Sequence, residues 1–487
     1  MSNNQKEHYP LDTKIAEFAD DILARAGQAG AVFAQLGQAE TDRIVNAVYK
    51  AAFNHRIPLA KMAHEETGMG RWEDKVIKNV VASQLVYDSI KDLRTAGIIN
   101  EDFASGITEI AQPVGPILAV IPVTNPTSTV IFKVLISLKA RNPIIVCPSG
   151  KAKRCCAETA RICYEAALAA GAPEDCIQWL NETSRDQTQA LMSHKALALI
   201  LATGGTGLVK SAYSSGTPTL GVGAGNVPVF IDASADIPFA VSQIFISKLF
   251  DYGTICASEQ AIVVEAAIAE AVRAEFTRQG AYFLNPEETA KVDAVAFDQA
   301  KGSMKPEIVG QSAAVIARKA GIAAPEDVRL LVAPLAGVGA KYPLSAEILA
   351  PILGFFVEPT FADAVNRCID LNFYGGIGHT VSLYANDEDR IKEFALLMNA
   401  GRIVVNTPSS QGAVGGIFNR LSPSFTLGCG TGGKNITTDN VTARHLVNVQ
   451  RIARRRNNQR LERFDAALYL DESLDIDAIE ARFNRNC

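Results

Sequence analysis

The chain has 487 residues, more than one hydrophobic core usually supports, so two or more domains are expected, each able to fold without disulfide staples. A formal net charge of −5 excludes the basic footprint of a general nucleic-acid binder, and the longest apolar run, residues 116–123, is broken by proline and far too short to span a membrane. Nine cysteines without framework spacing, behind a polar opening from Met1 to Pro10, predict reduced thiols in a cytoplasmic protein.

In chain order, the first hundred residues predict helices. Ile15, Phe18, Ile22 and Leu23, then Ile44, Val48 and Ala52, recur at helical spacing. Residues 101–110 are polar and alternating and predict part of a projecting hairpin, with a strand-like tail at 439–449 able to pair with it. From Ala111 the pattern becomes strand 117–121, helix 128–140, strand 143–147, helix 151–170 and strand 196–202, with strand 227–231 closing the unit. A second unit repeats the alternation: strand 261–264, helix 266–279, then strand, helix, strand, helix and strand between 351 and 406. The expectation is an α/β chain with two doubly wound parallel-sheet domains and a hairpin. Its divisions would be 1–236 for cofactor binding (hairpin near 101–112), 237–428 for catalysis, and 429–487 as a return to the first domain with an oligomerisation tail. Residues 451–487 are charged and predict helix, and the basic cluster Arg451–Arg456 reads as a solvated face or subunit contact rather than a nucleic-acid site.

Cys256 is the residue that most invites chemistry. It follows Gly253, precedes the small Ala257 and Ser258, and opens the second unit where a cleft between domains would lie. The turn Thr203-Gly204-Gly205, after one strand and before a helical run at 208–214, suits a pyrophosphate at a helix N-terminus. Ile121-Pro122-Val123-Thr124-Asn125-Pro126 is braced by proline on both sides, so Asn125 or Thr124 can be held as a donor to a developing oxyanion. An Asn-Pro turn with a cap at Ser128 is the plain structural alternative. His379 follows a glycine loop that would carry it toward the cleft, although on its own a histidine satisfied within the loop is the plainer reading. Residues 221–226 lack the last glycine of a dinucleotide fingerprint, and residues 428–434 lack the hydroxyl of a phosphate loop. No cysteine or histidine pair has metal-ligand spacing, so no metal is expected.

Taken in order, these segments, with Glu66-Thr67-Gly68-Met69-Gly70, Glu73 to Asn79, Ile200 to Val209, Ser214 to Pro228, Asn406 to Gly412 and Thr426 to Gly433, resemble the CoA-acylating members of the aldehyde dehydrogenase superfamily. The resemblance covers roughly residues 40–455. It is strongest to the aldehyde-oxidising half of bifunctional aldehyde/alcohol dehydrogenases.

The resemblance implies Cys256 as nucleophile, the Asn125 loop at the oxyanion with Thr124 opposite the superfamily's usual asparagine, and His379 as a residue of the acylating branch. It places the cofactor near Ile121, Pro122 and Thr203 to Gly205, and Glu347 at the nicotinamide ribose. Hydrolytic relatives carry a general-base glutamate where this chain has Val222, so release by a thiol rather than water is implied. Cys147 replaces a lysine that often contacts the adenosine ribose, leaving NAD expected and NADP possible. The implied partners are a small aldehyde and coenzyme A, with no nucleic acid or membrane, in a homodimer or larger homo-oligomer. Acetaldehyde is the default substrate. Arg420, Ser409 and Ser410 raise the alternative of a small anionic aldehyde such as sulfoacetaldehyde or succinate semialdehyde, and a hydrolytic dehydrogenase is the other alternative.

Overall fold

A computed structural model describes residues 13–182, 184–456 and 466–485. The strands, in chain order, are β1 (Gly97–Asp102), β2 (Ile107–Pro113), β3 (Ile117–Ile121), β4 (Ile144–Pro148), β5 (Ile177–Trp179), β6 (Leu199–Thr203), β7 (Thr219–Val222), β8 (Val227–Ile231), β9 (Glu259–Glu265), β10 (Ala281–Phe283), β11 (Phe297–Asp298), β12 (Ser303–Met304), β13 (Leu330–Pro334), β14 (Ile352–Glu358), β15 (Gly378–Tyr384), β16 (Ala400–Val405) and β17 (Val447–Ala453). Five form a parallel sheet in the order β5-β4-β3-β6-β7. Seven form a second parallel sheet, β10-β13-β14-β9-β8-β15-β16.

Both sheets are buried on both faces, which is why their strands read as nearly unbroken apolar runs. In β3, Ile117, Ala119 and Ile121 enter one core with Ile44, Val48 and Ala52 of helix Gln38–Asn54, while Leu118 and Val120 enter another with Ile22 and Leu23 of helix Thr13–Phe33. The period of two assigns the faces. The second sheet repeats this, with Val229, Ile231, Ile262 and Val264 on one side and Phe230, Ala261 and Val263 on the other. Helix Pro126–Lys139 is buried at every position. Its Lys133 donates from Nζ to the carbonyls of Val120 and Leu201, bridging β3 and β6 beneath the point where the first sheet's strand order reverses.

Three expectations need correction. Strand 227–231 does not close the first unit; as β8 it lies in the seven-stranded sheet between β9 and β15, so a boundary at residue 236 puts it on the wrong side. The reason is geometric: β7 and β8 are joined by residues 223–226 alone, and neighbouring parallel strands need a crossover of about a dozen residues or more. The tail strand that pairs antiparallel with the β1–β2 hairpin is β17, later than 439–449, and residues 428–440 still pack on β15 and β16 through Gly428 and Thr438.

The basic cluster is not a helix. Arg451 lies on β17 and pairs with Glu109, and Arg454 donates to Thr108. Beyond it, residues 466–469 and 476–485 are helical, whereas residues 1–10, 457–465, 486 and 487 of the predicted opening and tail lie outside the described residues. Among the described residues, no helix is long and apolar enough to cross a membrane.

Candidate active site

A cavity of about 480 Å³ opens between the two parallel sheets. One wall is the carboxyl end of the first sheet at its reversal point, with Ile121 and Pro122 after β3 and Thr203, Gly204 and Gly205 after β6. Ligands of doubly wound sheets bind at such a point. The opposite wall carries Cys256 and Glu347, and Thr124 and Asn125 lie along the same cavity. Every residue anticipated for the site therefore lines it except His379, which is buried directly behind Cys256.

Cys256 is half-buried, with Sγ 3.3 Å from His379 Nε2. Burial, reinforced by the Glu347 carboxylate and Cys429 and opposed by Arg402, pushes its thiol up to about 12. His379 is pushed the other way, down to about 3, by burial and then by the Arg402 charge, so the imidazole is neutral at physiological pH. Its Nδ1 lies 2.9 Å from Thr380 Oγ1. Gly225 packs flat on this pair: a Cβ there would lie 2.2 Å from the Cys256 carbonyl oxygen and 3.3 Å from the imidazole.

The backbone that delivers Cys256 is strained. Asp251, Tyr252 and Gly253 have φ of 50°, 52° and 73°, three consecutive left-handed residues of which only the last is glycine. Asp251 stabilises the turn from within. Its carboxylate accepts from Arg71 N (2.6 Å), Thr254 Oγ1 (2.8 Å), Lys75 Nζ (2.9 Å) and Lys78 Nζ (2.5 Å), and its own amide donates to Asp74. Burial favours the neutral acid, but Lys78 and Lys75 outweigh it and hold the Asp251 carboxyl below its usual range. Burial brings Lys78 down to about 8, with Lys75 adding to the effect and Asp251 resisting it.

Lys78 also donates to Asn125 Oδ1 (2.5 Å). Asn125 is the N-cap of helix Pro126–Lys139, yet its side chain makes no cap bond. The amide Nδ2 points instead at Thr124 Oγ1 (3.0 Å) and Thr254 O (3.3 Å), and Ser128 is not the cap expected of it, because the helix already begins at Pro126 and Ser128 Oγ donates back to Asn125 O.

Lys75, Lys78, Asp251, Thr254 and Arg402 were not singled out individually from the sequence. The available signal for the lysines was their i, i+3 spacing on one face of helix Trp72–Val80, where both are buried. That helix runs into a π-turn at Val81–Leu85, a distortion that recurs near functional sites.

Glu347 is the sole charged side chain among the described residues lining the cavity. Its Oε1 accepts from Gly225 N (2.8 Å), and burial raises its carboxyl to about 7. Val222, at the end of β7, lines the cavity and belongs to the same buried apolar cluster as Ile255 and Ala257. Of the residues weighed for an anionic substrate, Arg420 lines a separate cavity with Arg402 and Arg444, while Ser409 and Ser410 are buried against Glu259 and Ser247. Among the described residues, no three His, Cys, Asp or Glu side chains gather as a metal-ligand set.

Thr203 Oγ1 is buried without a partner beside the N-terminus of helix Thr206–Tyr213. An orphaned hydroxyl and free helix amides are the groups a phosphate would satisfy, so a dinucleotide fits this wall.

Residues 4–419 match the aldehyde dehydrogenase family. The chain belongs to that family. It is 44% identical to the bifunctional aldehyde-alcohol dehydrogenase of Escherichia coli over 94% of its own length, and it spans about half (51%) of that relative. A crystal structure of an acetylating aldehyde dehydrogenase from Geobacillus thermoglucosidasius superposes with a TM-score of 0.89 at 48% identity, covering 92% of this chain and 98% of that one. A Rhodopseudomonas palustris propionaldehyde dehydrogenase, solved with bound CoA and an acylated cysteine, gives 0.80 at 26% identity over 90% of this chain and 97% of that one.

Proposed function

We propose that this family member is a CoA-acylating aldehyde dehydrogenase that converts a short-chain aldehyde, CoA and a nicotinamide dinucleotide to acyl-CoA, reversibly, through a thioester on Cys256. The observation that carries it is Cys256 lining the same cavity as the Thr203–Gly205 turn, in a lining whose one carboxylate is tied to the Gly225 amide. The acylated cysteine and bound CoA of the R. palustris enzyme support the same step.

Cys256 Sγ adds to the aldehyde carbon. Both Asn125 amide hydrogens have acceptors in Thr124 and Thr254, whereas the Thr124 hydroxyl keeps its proton free, so we assign Thr124, braced by Asn125, together with the Cys256 amide, to the oxyanion. The bound dinucleotide supplies the hydride acceptor. Ile121 and Pro122 shape its bed, Thr203 to Gly205 face its phosphates, and Glu347 sits where the ribose would pass. Among the described residues, the cavity lining at Cys147, Ser149 and Thr188 includes no charged side chain to repel or bind a 2′-phosphate, so NAD is assigned with measurable use of NADP.

Resolution of the thioester then falls to the CoA thiol, a nucleophile that needs no strong base. Val222 supplies no carboxylate to activate water. Among the described residues the lining holds no cationic side chain, which supports a neutral substrate, acetaldehyde by default, over an anionic one.

The working state we assign is a cytoplasmic homo-oligomer. The described cysteines are all free thiols, which suits a reducing compartment, and Ile98, Val449 and Ile452 on the sheet of β1, β2 and β17, with Phe103 in the turn of its hairpin, are exposed, which suits self-association. Light scattering on the pure protein tests the oligomer.

The chemical test is product analysis: wild type with acetaldehyde and NAD forms acetyl-CoA when CoA is present, and little acetate without it. Cys256→Ala loses this activity yet still binds NADH. Turnover by that variant, or acetate as the main product with CoA present, overturns the reading.

A further inference from the structure

Behind Cys256 stands a chain of hydrogen bonds whose bookkeeping decides where the imidazole proton resides. Arg402, on β16, is buried and donates to five acceptors: Nε to Thr380 Oγ1 (3.2 Å), Nη1 to Thr438 O (3.1 Å) and Asn440 Oδ1 (3.2 Å), and Nη2 to His379 O (2.6 Å) and Gly428 O (2.6 Å). A guanidinium has five N–H groups and no acceptor, so Arg402 is saturated and Thr380 Oγ1 must be its acceptor. The Thr380 hydroxyl retains one hydrogen. Thr380 is fully buried, and among the described residues His379 Nδ1 is the one acceptor within its reach. Were Nδ1 to carry the proton, that hydroxyl hydrogen would be buried without a partner, an arrangement folded proteins avoid.

We propose that Arg402 and Thr380 are positioning residues that lock His379 as the neutral tautomer protonated on Nε2, so that it donates to Cys256 Sγ and does not take the thiol proton. The proposal rests on the covalent reading above and gives His379 its part in it. When the CoA thiolate adds to the thioester carbon, a tetrahedral oxyanion forms. On collapse, the carbon–sulfur bond to Cys256 breaks and its electron pair stays on Sγ as thiolate, which the Nε2–H then holds. No proton needs to move. The same contact serves the forward addition, in which the Cys256 proton leaves through the open cavity to solvent.

Nitrogen-15 NMR of the full chain labelled at histidine reads the tautomer directly, with the His379→Ala spectrum assigning the signal among the six histidines. Wild type should show Nε2 protonated and Nδ1 bare. Thr380→Val, nearly isosteric but without the hydroxyl, should lose that preference, and Thr380→Ser should keep it. Acyl transfer from Cys256 to CoA should slow roughly 10- to 100-fold in kcat for the valine variant, the equivalent of one hydrogen bond to a charged group, with KM for CoA unchanged. The serine variant should stay within about twofold of wild type, since it keeps that bond.

A wild-type spectrum with the proton on Nδ1, or a valine variant that keeps both tautomer and rate, overturns the proposal. Intact-mass detection of the acyl-enzyme tests the covalent step separately: its absence from wild type given acyl-CoA defeats the Cys256 reading while leaving the tautomer result standing.

Discussion

Burial raises two carboxyls, Glu347 and Glu259, to about 7, and each makes a prediction. Glu347 raises the Cys256 thiol through its charge, second only to burial. At pH 8, above its own value of about 7, it is mainly ionised. Removing that charge lowers the thiol, so Glu347→Gln should speed alkylation of Cys256 by iodoacetamide at pH 8, by roughly 3- to 10-fold for a shift of half to one pH unit. An unchanged rate would show that the carboxylate does not reach the sulfur.

Glu259 is fully buried; Oε1 accepts from Ser409 N, and Oε2 has no partner. Burial raises its carboxyl from 4.5 to about 7. A raised group contributes fully below the unfolded value and loses that contribution as pH rises through the folded one. Glu259→Gln, which cannot ionise, should therefore gain on wild type between pH 5 and pH 8, by on the order of 3 kcal/mol. Thermal melts at the two pH values decide it; a difference that does not widen with pH removes buried charge as the cause.

At the scale of elements, the strained turn at Asp251–Gly253 persists because its internal ligands over-determine it. Asp251→Asn keeps the shape of the side chain but leaves Lys75 and Lys78 buried without their counter-ion. Breaking such a pair should destabilise the fold by about 3 to 5 kcal/mol, read as a lower urea midpoint. Since the Asp251 carboxyl is held below 3.8, the contribution is fully present above that value and lost as the pH falls past it. An unfolding free energy within about 0.5 kcal/mol of wild type, the range of a surface substitution, would mean that the turn stands without the ion cluster.

This turn also marks where sequence reading stopped. Cys256, Asn125 and His379 announce themselves through glycines and prolines within three residues of them. The Asp251 cluster joins residues 173 to 180 positions apart, and nothing local reveals that a lysine on a helix will meet a carboxylate in a distant turn. Arg402 was hidden for the same reason: inside a strand pattern, an arginine reads as a solvent-facing residue until β15 and the loop at 428–440 close over it.

At the scale of the molecule, the alternation of strands and helices was legible, whereas the allocation of β8 to its sheet required the crossover rule as well as periodicity. The consequence is functional. Residues 223–226 pass from one sheet to the other and carry Gly225 over Cys256, so the cavity is walled by both sheets and any ligand in it bridges them. A volume of about 480 Å³ falls in the range of a pocket for one drug-sized ligand. NADH and CoA each carry an adenosine diphosphate, and each would need the wall at Thr203–Gly205 if that wall holds phosphates as proposed. The two should therefore exclude one another. NADH at a hundred times its Kd should raise the unfolding free energy by about 2.7 kcal/mol, and CoA alone at the same multiple should do likewise. With both present the increments should not add, because occupancy by one removes the site for the other. Differential scanning calorimetry on Cys256→Ala, which prevents turnover, makes the measurement. A combined stabilisation near twice the single-ligand value would place CoA on a second surface and require it to reach the thioester from another side.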